Sequence, residues 1–260
     1  MAYEHVLVAR EGATATITVN RPAVLNALSR ATLEEIETVV GELGADDAVR
    51  AVIVTGSGTK AFVAGADIRE LADLSPVMGC AYARRGQRVF EALEQLGKPV
   101  VAAINGYALG GGLELAMACT FRLAADTAKL GLPEVTLGLI PGYAGTQRLT
   151  RLVGRGRALD LILTGRQVTA EEALAMGLVT RVVSASRLLD EAQQLAADLA
   201  SRAPVALRCA MEAILRGGDL PLADACAYEA TLFGLVASTD DMKEGTRAFL
   251  EKRPPRFEGR

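Results

Sequence analysis

KPVVAAINGYALGGGLELAMAC, Lys98–Cys119, decides how the rest of this 260-residue chain is read. Val100–Ile104 is a short apolar run rich in Val, with the length of a buried strand. Asn105-Gly106 follows as a turn signal. Three consecutive glycines, Gly110 to Gly112, then lead into Leu113–Cys119, a run that suits a helix. A main chain without side chains at a helix start lets another group approach closely, and the unpaired N–H groups there favour an anion. Glu114 sits in the first turn of this helix, among Leu113, Leu115, Ala116, Met117, Ala118 and Cys119. A helix apolar all round is a buried one, so this carboxylate needs a partner or a shifted pKa. An N-terminal acid favoured by the helix dipole, or half of a structural pair, explains it equally well from these residues alone.

The next stretch, GLPEVTLGLIPGYAGTQRL (Gly131–Leu149), repeats the pattern. Pro133 suits the first position of a short helix and sets Glu134 beside it. Gly138 and Pro141-Gly142 break the chain again, and Gly145 precedes a helical run over Thr146–Val153. Two glutamates at glycine-flanked helix mouths can divide labour. Like charges held close push their pKa values apart, so that one keeps a proton while the other stays ionised.

Composition removes several chemistries. The only histidine is His5, near the terminus, which removes most Ser-His-Asp and Cys-His chemistry and also histidine-based metal sites. The four cysteines, Cys80, Cys119, Cys209 and Cys226, are scattered without metal-ligand spacing and read as reduced thiols. GxSxG, GxxxxGK[ST] and GxGxxG are absent. Net charge is −3 with no basic stripe, which argues against nucleic acid as a partner. No apolar run reaches the roughly 18 residues of a membrane span, and MAYEHVLVAR lacks the form of a secretory signal. A cytoplasmic location is the expectation. Half the residues are hydrophobic, which points to surface buried inside the chain or between copies of it.

Taken in order, Val6–Val8 and Thr14–Val19 predict a hairpin about Glu11-Gly12. Ser29 suits the cap of a helix whose Leu33, Ile36, Val40 and Leu43 share one face. Val49–Thr55 reads as a buried strand, 78–96 as a helix weakened by Gly79 and Gly86, Phe121–Ala125 as a strand, 154–176 as helical segments with Thr169 as a cap, and Val179–Val183 as a strand. Beyond about residue 186 strand signals stop and helices follow, so a boundary is expected near 200. Periodicity alone gives a mixed α/β protein.

Four ordered motifs carry a resemblance: the two stretches above, AFVAGADIRE at Ala61–Glu70 and NRPAVLNALS at Asn20–Ser29. With them the chain resembles the crotonase (enoyl-CoA hydratase/isomerase) superfamily over nearly its whole length. The resemblance implies an α/β (α+β) spiral of repeated ββα units in residues 1–200, which binds CoA and carries the catalysis, and a helical oligomerisation region in 201–260. It implies a homotrimer or homohexamer. The Ala66 and Gly111 N–H groups are implied as an oxyanion hole for a thioester oxygen. Val24, Leu25, Ala64, Asp67, Ile68 and Arg69 are implied as the CoA channel, with Asp67 equally readable as a helix cap. Lys252 is implied to meet CoA phosphates from a neighbouring subunit, a solvated surface lysine being the commoner fate of such a residue. Glu114 and Glu134 together look like the hydratase subtype, adding water syn across a short- or medium-chain trans-2-enoyl-CoA with no metal and no redox cofactor. Other reactions of CoA thioesters, such as isomerisation or hydration of aromatic and alicyclic enoyl esters, and a non-catalytic RNA-binding paralogue, are the alternatives. Tyr143-Ala144 departs from the small residues frequent at that place, which bears on acyl-chain preference.

Overall fold

A computed structural model describes residues 3–72 and 74–260; residues 1, 2 and 73, which include the start of the N-terminal segment discussed above, lie outside it. In chain order the strands are β1 (Val6–Glu11), β2 (Thr14–Val19), β3 (Ala51–Gly56), β4 (Ala61–Val63), β5 (Val100–Ile104), β6 (Tyr107–Leu109), β7 (Phe121–Ala125), β8 (Lys129–Gly131), β9 (Val168–Thr169) and β10 (Arg181–Val183). The helices are α1 (Arg30–Ala45), α2 (Pro76–Glu94), α3 (Gly111–Met117), α4 (Gly145–Val153), α5 (Arg155–Thr164), α6 (Ala170–Ala175), α7 (Leu188–Ala200), α8 (Pro204–Gly217), α9 (Leu222–Ala237) and α10 (Asp240–Leu250).

Two sheets alternate along the chain. One runs β1-β2-β3-β5-β7-β10, with the β1–β2 hairpin antiparallel and every later pairing parallel. The other runs β4-β6-β8-β9, parallel except at its last pair. Each turn of the chain lays one longer strand in the first sheet and one short strand in the second before a helix returns it: β3-β4-α2, then β5-β6-α3. This is the repeated ββα spiral expected above. Every residue of β3 and β5 is buried, which is why both read as unbroken apolar runs: parallel strands covered on both faces have no solvent side to mark.

The elements form where their sequences place them, with instructive differences. Ser29 caps α1 by accepting from Thr32 N–H, and Leu33, Ile36, Val40 and Leu43 are its buried face. α2 runs through Gly86 without interruption, because the Tyr143 ring stands where a side chain would be: a Cβ at Gly86 would lie 2.1 Å from it. Leu96, expected on that helix, falls beyond its end. α3 begins two residues before the expected Leu113, its cap being Gly110 at φ 50°, ψ −124°, a conformation open to glycine. Pro133 caps a short 3-10 turn, Glu134–Leu137, rather than occupying its first position.

α7 packs across β2, β3, β5 and β7. The helices after it are different. α9 buries none of its residues, and Leu222, Phe233, Phe249 and Leu250 are each at least 75% exposed. No described helix is long and apolar enough to cross a membrane.

Candidate active site

Glu114 is 2% exposed, one turn into α3. Its Oε1 accepts two main-chain hydrogen bonds, from Tyr143 N at 2.8 Å and Gly145 N at 2.7 Å. These amides converge because Ala144 between them adopts the left-handed conformation (φ 74°), unusual for a residue with a Cβ. Gly145 has no side chain for a second reason: a Cβ there would lie 2.8 Å from Glu114 Oε1. Burial, aided by the nearby charge of Glu134, pushes the Glu114 carboxyl up to about 8 despite the two amides.

Glu134 stands at the start of the 3-10 turn after β8. A Cβ on Gly110 would lie 2.9 Å from its Oε1, so the carboxyl lies at the mouth of α3. Its Oε2 is buried and has no hydrogen-bond partner among the described residues. Burial raises its pKa to about 7. A buried carboxyl oxygen without a donor suits the protonated form, whereas an oxygen accepting two amides suits the ionised one. Depth favours the proton on Glu114, and the two amides on its Oε1, with no donor on Glu134 Oε2, act in the opposite sense.

The third component is a pair of main-chain donors. Leu28 bridges to the strand-like residues 65–67: Leu28 N donates to Gly65 O and Asp67 N donates to Leu28 O. That pairing turns the N–H of Ala66, the residue between them, to the opposite side. Gly111 is there, and a Cβ on it would lie 3.6 Å from Ala66 N. Gly111 opens α3, so its own N–H has no partner within the helix. Among the described residues neither amide has an acceptor. The third glycine has a packing role: a Cβ on Gly112 would lie 1.9 Å from Val63 O, so only glycine lets α3 lie against β4.

The residues expected along the channel separate into groups. Ala64 N donates to Leu25 O at 3.0 Å, which sets Leu25 (φ 53°) and Val24 beside β4. Asp67 is buried and accepts from Arg21 and Arg69 side chains and from Arg69 N, holding its carboxyl well below the usual carboxylate range. It caps the turn Ile68–Glu70, the bland reading of that residue. Ile68 and Arg69 are exposed. Lys252 lies exposed after α10 in a left-handed conformation.

Four further residues shape the site. Asn26, 1% exposed, donates to Ser57 O and Ala61 O and accepts from Arg21 N, tying the segment after β2 to β4. Tyr82 packs at a 32° tilt against Tyr143, with ring centroids 5.5 Å apart, and Phe90 meets Tyr143 edge-on. Arg148 ties the α4 entrance to Glu94. Asn26 and Arg148 lie inside quoted motifs, whereas Tyr82 and Phe90 do not. No group of three or more His, Cys, Asp or Glu that could hold a metal occurs among the described residues.

A family model described as enoyl-CoA hydratase/isomerase matches residues 9–260. A short-chain-enoyl-CoA hydratase from Clostridium acetobutylicum is 47% identical to this chain over 253 residues, 97% of each. A crotonyl-CoA hydratase from Syntrophomonas wolfei is 46% identical over 257 residues, 99% of each. The crystal structure of an enoyl-CoA hydratase from Bacillus anthracis superposes with a TM-score of 0.95 at 43% identity, covering 99% of this chain and 100% of that one.

Proposed function

The chain belongs to the enoyl-CoA hydratase/isomerase family, and we propose that it acts as a 2-enoyl-CoA hydratase, adding water reversibly to a short- or medium-chain trans-2-enoyl-CoA. One observation carries this reading. A buried, amide-bound carboxyl and a half-buried one whose shielded oxygen has no donor stand beside two unpaired amides at the mouth of a single helix.

The steps follow from those groups. The thioester oxygen accepts hydrogen bonds from Ala66 and Gly111 N–H. Water held by Glu114 attacks C3, its oxygen forming the new C–O bond while its proton passes to the Glu114 carboxylate. The C2–C3 π electrons move toward the thioester, and the resulting enolate oxygen is stabilised by the two amides. Losing one such donor typically costs on the order of 10²–10³ in rate. C2 then takes the proton of Glu134. Proton return from Glu114 to Glu134 resets the pair, and each step reverses for dehydration. Both carboxyls act from one side, as syn addition requires. An isomerase needs only one acid to move a proton along the chain, which leaves the placement of Glu114 without a purpose. No cofactor beyond the CoA of the substrate is required.

In the same reading residues 1–200 form the catalytic spiral. Val24, Leu25, Ala64, Ile68 and Arg69 flank the CoA, Asp67 holds that wall in shape, and Lys252 reaches the CoA phosphates of another subunit. Residues 201–260 assemble a homotrimer or homohexamer, which would cover the apolar residues α9 and α10 leave exposed. The test is direct. Purified protein mixed with crotonyl-CoA is expected to bleach the enoyl-thioester ultraviolet band; no loss of the band overturns the proposal. A monomer at every concentration in sedimentation overturns the assembly.

A further inference from the structure

Arg148, in the first turns of α4, is only 13% exposed at its side chain, yet it touches no group assigned to substrate. Its Nε donates to Glu94 Oε1 at 3.0 Å and its Nη2 to Glu94 Oε2 at 2.8 Å, a two-pronged clamp to the last residue of α2. Its Nη1 donates to the Tyr143 carbonyl at 3.2 Å. The Tyr143 amide is one of the two donors to Glu114 Oε1. A chain of contacts therefore runs from the end of α2 through the guanidinium to the turn that holds Glu114.

We propose that Arg148, fixed by Glu94, is the positioning residue that sets the Tyr143 and Gly145 amides on Glu114 and so orients that carboxylate for water. The inference rests on the hydratase reading. The turn needs such a hold, since Ala144 is left-handed and a residue with a Cβ keeps that conformation only where its surroundings enforce it. Arginine is the residue type for it. A planar fork serves a carboxylate with two donors and a carbonyl with a third, where lysine offers one point charge. Stability alone gives little reason for the pair, because a partly buried ion pair commonly breaks even against apolar residues of the same size. The cation also acts on Glu114 through space, favouring its ionised form. The other groups facing this region are Glu134 from the turn after β8, Tyr82 from α2, Tyr143 itself, and, toward the Glu94 end, Cys119 and Arg122, the thiol being pushed up to about 12 by burial.

Arg148→Met, Arg148→Lys and Glu94→Gln, each checked for folding by thermal melt, are compared with the wild type in hydration of crotonyl-CoA across pH. Misplacing a catalytic group by about 1 Å costs on the order of 10²-fold. Arg148→Met is expected to lower kcat by about that factor, change KM little, and move the acid limb of kcat/KM up by on the order of one pH unit, because Glu114 loses its cation. Glu94→Gln removes an opposing negative charge and is expected to move the limb down. Arg148→Lys is expected to keep the limb near the wild type and still lose kcat, since the charge stays and the fork goes. A purely structural role moves the melting temperature and leaves both limbs in place. Limbs that do not move in opposite directions, or a folded Arg148→Lys with wild-type kcat, overturn the inference; if Arg148→Met does not fold, the other two variants decide it. A wild type that leaves crotonyl-CoA untouched overturns the hydratase reading instead.

Discussion

Gly145 and Glu114 fit together in two ways at once. The Gly145 amide donates to Glu114 Oε1 at 2.7 Å, and a Cβ on Gly145 would lie 2.8 Å from that oxygen and 2.9 Å from the Glu114 Cγ. Gly145→Ala is therefore expected to push the carboxylate off its donors. Gly145 is buried at the start of α4, and the added Cβ would also lie 2.9 Å from the Pro141 Cβ. The melting temperature is therefore expected to fall with the cost of overpacking, about 1–3 kcal/mol, and kcat for crotonyl-CoA on the order of 10²-fold. Wild-type kcat in this variant would mean that Glu114 tolerates displacement.

Glu114→Gln and Glu134→Gln separate the two carboxyls. Each glutamine keeps the shape and cannot exchange a proton. Each variant is expected to lose on the order of 10²–10⁴ in kcat and still bind a CoA ester in a competition assay. Full turnover in either removes that residue from the proton transfers.

Both carboxyls carry a signature in stability against pH. Their folded values, about 8 and about 7, lie above the ordinary 4.5. Between 4.5 and 8 the folded chain keeps protons that the unfolded chain has released, so stability is greatest below 4.5, falls as pH rises through this window and levels off above it. The urea midpoint of the wild type, at fixed protein concentration, is expected to drop from pH 5 to pH 8. The double variant Glu114→Gln, Glu134→Gln is expected to show a shallower slope. Equal slopes would show that burial does not raise these groups. Asp67 acts with the opposite sign: its folded value is depressed, so its contribution is lost only as pH falls below the ordinary carboxylate range.

Tyr143 is 2% exposed, with its ring against Gly86, Gly111, Tyr82 and Phe90. In the proposed hydratase its place beside Gly111 would limit the room for an acyl chain. Tyr143→Ala is expected to raise kcat/KM for longer enoyl-CoA esters relative to crotonyl-CoA, at a stability cost of roughly 3 kcal/mol or more. A substrate panel reads the first effect and a denaturant titration the second. An unchanged chain-length profile would place the acyl chain elsewhere.

The sequence determined the elements whose signal is local. β5 and β3 are legible because a strand buried on both faces must be apolar throughout, and α1 because its cap and one buried stripe recur at helical spacing. It also singled out Glu114 and Glu134, because an acid in an apolar, glycine-flanked setting stands out on its own. Only the tertiary structure decided what those acids touch. The Glu94–Arg148 clamp joins residues 54 apart in the chain, and Tyr143 reaches Gly86 across 57 positions, distances over which no periodicity runs. For the same reason Gly86 read as a weak point in α2 and proved to be the place where a ring packs. A glycine's meaning lies in what approaches it, and that is set by the whole fold rather than by its neighbours in sequence.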